Sequence, residues 1–307
     1  MRCLRRIFFA ACLALAGLVP AHAASVLVVV SEPRGVYMEF ADAIKTELQR
    51  GNQHEVNVID SDLLATRGGF DPQLVLAVGG KAVNTVLGRE IRTPVLLTLI
   101  PRSSYDKLPA ARRDDRRISA VFVDQPPNRY LDLVKAALPN IDRIGLLAGR
   151  DSREHVARLS AVARERKLRP MTEPVNTDAD IYPALQRMFS EGGAALLATP
   201  DTSVFNSQTI PNIILSTYRF RVPVVGFSPA YVRSGALVAI YSTPAQLATQ
   251  SSDIARGILN GGQVPLVQYP RIYSIGINNV AARSLGFDLD TEAVIRERME
   301  RMERSTP

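Results

Sequence analysis

The sequence is poor in the residues that most often build reactive or cross-linked sites. It has no tryptophan, and its two cysteines are Cys3 and Cys12, so residues 13–307 contain no thiol. This absence excludes a disulfide framework, a zinc site with cysteine ligands and a thiol nucleophile from that part of the chain. A domain of this size can be stable from its apolar core alone.

The sequence also lacks the motifs of common catalytic and nucleotide sites. It contains no Gly-x-Ser-x-Gly elbow, no Gly-x-Gly-x-x-Gly after its first strand and no phosphate loop ending in Gly-Lys-Ser/Thr. Two histidines follow residue 23; we expect His54 in a polar turn and His155 on a charged helix face, both at the surface. No spacing of His, Asp and Glu indicates a metal site. We therefore predict no catalytic residue, no metal, no cofactor and no enzyme activity.

The basic balance is modest for the length. The formal charge of +7 includes three arginines in the first six residues, and only the stretch 110–117 concentrates arginine further along. Two aspartates dilute that stretch, which favours a solvated loop over a nucleic-acid patch. We expect no nucleic-acid partner.

The amino-terminal segment has the pattern of an export signal. A basic head precedes the apolar run 7–19, and residues 20–23 (Pro-Ala-His-Ala) form a small-x-small cleavage site. The run is too short to span a bilayer as a stable helix. We predict a cleaved signal peptide at 1–23 and a periplasmic protein. An alternative, a lipoprotein box at 9–12, would follow a very short apolar run.

Short β-branched apolar runs alternate with amphipathic stretches along the rest of the chain. Strands that are apolar on both faces and separated by helices indicate a parallel sheet covered on both sides. The rhythm restarts after the paired prolines at 123–128, which predicts an α/β fold of two Rossmann-like lobes. The predicted strands are 25–30, 55–59, 74–78, 95–100, 118–123, 143–148, 171–175, 194–199 and 222–227.

Polar residues follow the predicted strands at their carboxyl ends, where open parallel sheets bind ligands. We expect Lys81 and Arg102 to pair with an acidic group of a ligand, and Asp201 with an amine or hydroxyl. Tyr37, Phe205 and Tyr231 could form an apolar wall of the site, although each of these rings could equally belong to the core. The residue types of the set also cap helices and form turns, a reading that stays open for each one, Asp201 included. The candidate ligand-binding residues are Ser31, Glu32, Gly80, Lys81, Pro101, Arg102, Arg150, Asp151, Asp201, Phe205, Ser228 and Tyr231.

The last hundred residues resemble one family of ABC-transporter substrate-binding proteins, in its tryptophan or amino-acid-binding branch. Residues 277–286 resemble its closing I-N-x-x-x-A-x-x-L-G motif, and 246–261 its preceding helix. In the first half, 74–80 and 137–147 resemble its L-I-V-A-I-G and L-L-P-x-x-x-R-I-G-V-L segments. The other matching segments are 194–201 (AALLATPD), 222–228 (VPVVGFS) and 231–237 (YVRSGAL).

The resemblance implies the periplasmic binding protein type I fold, with two lobes that close on a ligand like a hinge. It implies crossings near Asp124, Tyr241 and Gly262. One lobe would then hold residues 24–123 and 242–262, and the other 124–241 and 263–307. The implied function is extracytoplasmic capture of a small polar ligand, an amino acid or a relative, for an ABC permease in the inner membrane, by a monomer.

The chain departs from the family pattern in one region. Leu99–Arg102 stands where the family often has T-D-P, and the arginine-rich stretch before Ile118 replaces G-x-N-x-T-G. Both departures face the expected ligand. They motivate an alternative function, a ligand-sensing or accessory interaction protein for an outer-membrane receptor with no transport role.

Overall fold

The structure is a computed structural model that describes residues 24–50, 54–67, 69–90, 92–150 and 152–304. The predicted signal peptide and Asp151 lie outside these residues. Within the described ranges, no helix combines the length and apolarity needed to cross a membrane.

The first lobe is a five-stranded parallel sheet in the order β2-β1-β3-β4-β5. Its strands are β1 (Ala24–Val30), β2 (His54–Asp60), β3 (Leu74–Val78), β4 (Val95–Ile100) and β5 (Ile118–Phe122). The helices along this part of the chain are α1 (Val36–Gln49), α2 (Ser61–Thr66), α3 (Gly80–Leu87), α4 (Arg102–Asp106) and α5 (Ala110–Arg113).

The second lobe is a six-stranded sheet in the order β11-β10-β9-β8-β6-β7, parallel except for β11, which runs antiparallel to β10. Its strands are β6 (Arg143–Ala148), β7 (Arg169–Pro174), β8 (Ala194–Leu197), β9 (Val224–Gly226), β10 (Val238–Tyr241) and β11 (Ser274–Ile277). The remaining helices are α6 (Pro127–Ala137), α7 (Arg153–Glu165), α8 (Ile181–Phe189), α9 (Ile210–Arg219), α10 (Pro229–Ser234), α11 (Pro244–Leu259), α12 (Asn279–Leu285) and α13 (Glu292–Arg304).

The first sheet is covered on both faces, as its apolar strands predict. Val28 belongs to the cluster that packs on Phe40 of α1, whereas the next residue, Val29, belongs to the cluster on the opposite face with Val83 of α3. Successive side chains of a strand point to opposite faces, so an uninterrupted valine run fits a sheet between two helical layers. The α/β fold with two mostly parallel sheets is confirmed.

Helix α11 belongs to the first lobe although it follows a strand of the second. Its start is set by a capping box, in which Gln246 N–H donates to the Thr243 hydroxyl and Thr243 N–H donates to the Gln246 side chain. Leu247 and Ile254 share one face of α11 and join the cluster around Phe40. The chain therefore crosses back to the first lobe between β10 and α11.

The segment after α11 stays on the first lobe as far as Tyr269. Gln268 N–H donates to Ala120 O at 2.8 Å, and Phe122 N–H donates to Gln268 O at 3.0 Å. Val267 and Tyr269 pack against the apolar cluster of that lobe. The domain bounds remain a prediction, and we revise the third crossing from near Gly262 to the stretch that follows Tyr269.

A buried hydrogen-bond network joins the three places where the chain changes lobe; we call it the crossing network. Gln125, fully buried after β5, donates through its side-chain amide to Ser242 Oγ at 2.9 Å. Ser242 donates in turn to Ile272 O at 2.6 Å. Arg129 donates to Gln125 Oε1 at 2.7 Å and to Pro270 O at 2.8 Å.

The carboxyl-terminal helix α13 is attached to this network. Arg129 forms an ion pair with Glu303 at 2.9 Å, and its guanidinium lies 4.7 Å from the centroid of the Tyr273 ring. Arg296, also on α13, lies 4.9 Å from the same centroid. Because Ile295 and Met299 are fully buried in the second lobe, the helix anchors the network to that core.

Gly145 offers a test of the second core, because it permits β6 and α8 to approach closely. A Cβ at this position would overlap the ring of Phe189, a buried residue of α8. We expect Gly145→Ala to lower the free energy of unfolding by about 1–3 kcal/mol, as overpacking does in other cores. Urea unfolding followed by circular dichroism measures the change.

The matched control is Gly257→Ala on the exposed side of α11, where a Cβ would meet no atom within 4 Å. Alanine is the better helix former by about 1 kcal/mol, so we expect this variant to equal or exceed the parent in stability. Equal stability of Gly145→Ala and the parent would contradict the close packing of β6 on α8.

Candidate functional site

The carboxyl ends of β1 and β3 meet around one buried hydroxyl. Ser31 Oγ accepts a hydrogen bond from Ala82 N in the first turn of α3 at 3.1 Å. Gly79 precedes that helix with φ 87°, and a Cβ there would overlap Tyr37 and the Ser31 hydroxyl. The turn therefore needs glycine for two reasons, its left-handed backbone and the ring packed on it. Ser31 holds the start of α3 in place.

The end of β4 is irregular at the point where the sequence leaves the family pattern. Leu99 has φ 52°, a value uncommon for a residue with a branched side chain, and the pairing of β4 with β5 shifts register between Thr98 and Ile100. Bulges of this kind re-aim the chain that follows, often beside a binding site. Here they lead into Pro101 and the short helix α4, an element absent from the sequence-based prediction.

Arg102 is held within the first lobe rather than extended into solvent. Its Nε donates to Asp106 Oδ1 at 2.7 Å, and its guanidinium lies 5.3 Å from the centroid of the Phe122 ring. Its backbone N–H donates to Asp124 Oδ1 at 2.8 Å. Arg102 thus fixes the position of α4 beside the first sheet, and its charge is compensated by the ion pair with Asp106.

Asp124 is a buried carboxyl at the first crossing. Removal from water raises its pKa from 3.8 to about 6, while the hydrogen bond from Arg102 N–H acts in the opposite direction. Burial of the neighbouring Tyr269 raises its pKa to about 12, and the negative charge of Asp124 is the second cause of that rise. With a pKa of about 6, Asp124 changes its ionisation just below neutral pH.

The end of β8 presents a second buried carboxylate. Asp201 Oδ1 accepts from Ser203 N at 2.9 Å and from Ser203 Oγ at 2.6 Å, whereas its Oδ2 has no hydrogen-bond partner in the described part of the chain. Thr199 Oγ1, two residues earlier, likewise has none within the described ranges. A Cβ on Gly149 would overlap Asp201 Oδ2, so Asp201 lies directly against the turn after β6.

A cavity of about 480 Å³ lies between the two lobes, and we call it the interlobe cavity. Ser103, Asp106 and Lys107 line it from the first lobe. Arg150 and the first turns of α7 line it from the second, and Arg158 Nη2 of α7 contacts Asp106 Oδ2 at 3.4 Å. The carboxyl ends of β4 and β6 thus face one another across the cavity, as the ligand position in open α/β sheets requires.

His155 corrects one expectation from the sequence. It is 7% exposed rather than a surface residue, and it lines the interlobe cavity. Burial, together with the nearby Arg158, lowers the pKa of His155, although Asp106 acts in the opposite direction. Its Nε2 has no partner among the residues that the structure describes.

The other predicted site residues fall into distinct positions. Lys81 forms an exposed ion pair with Asp62 at 2.8 Å, and Glu32 forms one with Arg34 at 2.8 Å. Gly80 is exposed at the start of α3. Their roles in ligand binding remain predictions, and Asp151 lies outside the described residues.

The two aromatic candidates of the second lobe pack inside it. Tyr231 and Phe205 are buried in the cluster around α8 and α9, and the Tyr231 ring centroid lies 4.6 Å from that of Phe227. This position matches the core alternative that the sequence left open. Ser228 caps the start of α10 without a side-chain hydrogen bond to that helix. Arg150 is exposed at the rim of the interlobe cavity.

Most of the residues that line the interlobe cavity were not candidates, among them Asp106, His155 and Arg158, and neither was the buried Asp124. Asp106 and Asp124 follow the carboxyl ends of β4 and β5, so the strand-end rule could have found them. His155 and Arg158 lie three residues apart on α7, and the spacing places both on one helical face. No group of three or more His, Cys, Asp or Glu in the described ranges could hold a metal ion.

Comparisons with known proteins identify the family and the fold. The family model for ABC transporter substrate-binding proteins matches residues 42–300. No curated protein matches the chain.

Solved structures show the same fold at low sequence identity. A domain from Streptococcus pneumonia in complex with L-Trp is 19% identical over 89% of this chain and 98% of its own, with a TM-score of 0.62. A ligand-free, open substrate-binding protein with adhesive properties from Clostridium difficile is 17% identical over 87% and 95%, with a TM-score of 0.68. A glucose-galactose binding protein from Geobacillus stearothermophilus is 12% identical over 84% and 98%, with a TM-score of 0.53.

Asp124 makes the stability of the protein depend on pH. Its pKa of about 6 in the folded protein exceeds 3.8, so between these values the folded state binds more protons than the unfolded state. The free energy of unfolding therefore falls as pH rises from about 4 to about 6, by on the order of 3 kcal/mol for this group. We expect Asp124→Asn, which keeps the acceptor for Arg102 N–H, to flatten that fall in urea unfolding from pH 4 to 7.5.

Burial also raises the pKa of Asp132 to about 6. Asp132 is unchanged in Asp124→Asn, so part of the dependence of stability on pH remains in that variant. The control is Asp288→Asn, at an exposed carboxyl in the loop after α12, which should keep the parent slope. If Asp124→Asn retains the full slope, Asp124 does not carry this pH dependence.

Proposed function

The chain belongs to the ABC transporter substrate-binding protein family, and we propose that it captures a small polar molecule, an amino acid or a close relative, between its two lobes. The family binds substrates and is not a family of enzymes, and its members work outside the cytoplasm. The family match favours transport over an accessory role at an outer-membrane receptor.

The observation that carries the proposal is the interlobe cavity with polar walls from both lobes. Its volume of about 480 Å³ lies within the range of about 300–1,000 Å³ common for small-molecule sites. The Asp106–Arg158 contact across it links an element that follows β4 with one that follows β6. A ligand at this position contacts both lobes at once, so its binding energy favours an arrangement in which they are close.

Asp201 supports an ammonium or hydroxyl group as part of the ligand. Ser203 fixes one carboxylate oxygen, and the other has no partner within the described residues, although the side chain is buried. A buried carboxylate oxygen without a partner costs free energy, and a ligand donor removes that cost. Gly149 lets the turn after β6 lie against this oxygen, and the next residue of that turn, Arg150, lines the cavity.

The crossing network would serve as a fixed axis for movement of the lobes, because it holds the three crossings together while the lobes beyond them open and close. Its hydrogen bonds join backbone and side chains at Gln125, Ser242 and Pro270, while Asp106–Arg158 is the ion pair that spans the cavity itself. Closure would exclude water from the ligand and strengthen its polar contacts. We propose delivery of the closed, ligand-bound monomer to an ABC permease of the inner membrane, after export by the predicted signal peptide.

A binding screen tests the proposal. Protein produced from the full-length chain and purified from the extracytoplasmic fraction is titrated with amino acids, nucleosides, small carboxylates and sugars in a thermal-shift assay. A ligand at 100 times its Kd stabilises the folded protein by about 2.7 kcal/mol. We expect an amino acid or a close relative to raise the Tm in a dose-dependent way.

Asp201→Ala then tests the assigned contact by isothermal titration of the strongest hit. Loss of a hydrogen bond to a charged group costs about 1.5–3 kcal/mol, so we expect Kd to rise about tenfold or more. Asp288→Ala, at an exposed carboxyl outside the site, should leave Kd unchanged. A change of less than about twofold for Asp201→Ala would remove Asp201 from the binding site.

A further inference from the structure

The wall of the interlobe cavity carries an excess of positive charge. Among the described residues that line it, four are cations and two are acids: Lys107, Arg150, Arg153 and Arg158 against Asp106 and Glu154. Three of the cations lie on α7 or in the turn that begins it, so the excess is concentrated on the second-lobe wall.

The two acidic residues are already engaged. Asp106 contacts both Arg102 and Arg158, and Glu154 lies 3.7 Å from Arg158. Arg153 donates to the neutral side chain of Asn176 at 3.0 Å, and Arg150 forms no ion pair with a residue that the structure describes. Within the described ranges, Arg150 and Arg153 of the second-lobe wall therefore have no acidic partner.

Arg158 has capacity for a further partner. Its contact with Asp106 is 3.4 Å and that with Glu154 is 3.7 Å, both longer than the roughly 2.7–2.9 Å of a strong charge-assisted hydrogen bond. A ligand acid between α4 and α7 would meet this guanidinium without displacing a tight internal pair.

His155 gives an independent indication that this wall binds a polar ligand. The side chain lines the cavity and is 7% exposed, yet its Nε2 has no hydrogen-bond partner among the described residues. It lies in the first turn of α7, a thirteen-residue helix whose amino end favours negative charge. Ser152 does not cap that helix through its side chain; its hydroxyl accepts from Gly149 N–H instead.

We infer that the interlobe cavity binds an acidic group of the ligand, and that the substrate is a small dicarboxylic amino acid or another compound with a second carboxylate. This inference rests on the proposed function and names its substrate class. Asp201 would take the ammonium or hydroxyl group, as proposed above, and the α7 wall the second acid. A ligand with a neutral group in place of the second carboxylate would leave the arginine charges of the α7 wall uncompensated.

Matched ligand pairs test the inference by isothermal titration of protein produced from the full-length chain. Glutamate is compared with glutamine, and aspartate with asparagine, because each pair differs mainly in one acidic group. A single charged hydrogen bond commonly changes Kd by about tenfold or more, so we expect the acid of at least one pair to bind at least about tenfold more tightly than its amide.

Three substitutions assign the preference to the wall. Arg153→Gln and Arg150→Gln should each reduce the ratio of amide Kd to acid Kd several-fold, and the amide Kd should change little. Both side chains are exposed, so folding is not at risk in either variant. Arg164→Gln, at an exposed arginine in the last turn of the same helix, should keep the parent ratio.

The outcomes separate this inference from the proposed function. Tight binding of amides or apolar amino acids with weaker binding of the acids overturns the inference and leaves ligand capture intact. An acid preference that persists in both cavity variants also overturns it. Failure of every compound in the wider screen to bind overturns the inference and the proposed function together.

Discussion

The buried side-chain amide of Gln125 is the constraint on which the arrangement of the two lobes depends. It connects the first crossing to Ser242 at the second, and through Arg129 to Pro270 at the third. A buried polar group that loses its partner costs about 1–3 kcal/mol, so the three crossings are held in one relation to each other. The interlobe cavity exists because this relation brings the ends of β4 and β6 together.

The cavity itself depends on electrostatic contacts that are weaker and more exposed than the crossing network. Arg102 and Asp106 form a compact pair at 2.7 Å inside the first lobe, whereas Asp106 and Arg158 meet across the lobes at 3.4 Å. The side chains of the second pair are 24% and 49% exposed, so water and salt weaken it. The protein thus combines rigid crossings with a contact between the lobes that a ligand can replace.

The sequence predicted the architecture well because burial on both faces leaves a strong local pattern. The valine run of β1 indicates a covered sheet without knowledge of any partner, and the polar residues after each strand follow from topology alone. Asp201 became a candidate in this way, and its role in ligand binding stays a prediction. The aromatic residues Phe205 and Tyr231 could not be assigned, because a ring suits a core and a ligand wall equally well.

Other features depend on contacts between distant parts of the chain. Helix α11 has an ordinary amphipathic pattern, and only the complementary face of α1 assigns it to the first lobe. Gln268 joins β5 through backbone hydrogen bonds, which leave no signature in the side-chain sequence. His155 is surrounded by charged neighbours in sequence, so its burial gives no local signal.

The path of α11 also bears on how the chain acquires its structure. The cluster around Phe40 is incomplete until residues 244–259 have been synthesised. The second lobe likewise lacks Ile295 and Met299 until the last helix has been synthesised. Each lobe therefore completes one of its apolar clusters only after a distant, later segment of the chain has been made. The last step of folding in both lobes thus depends on the final third of the chain, so a truncation that removes α11 or α13 leaves an apolar cluster uncovered.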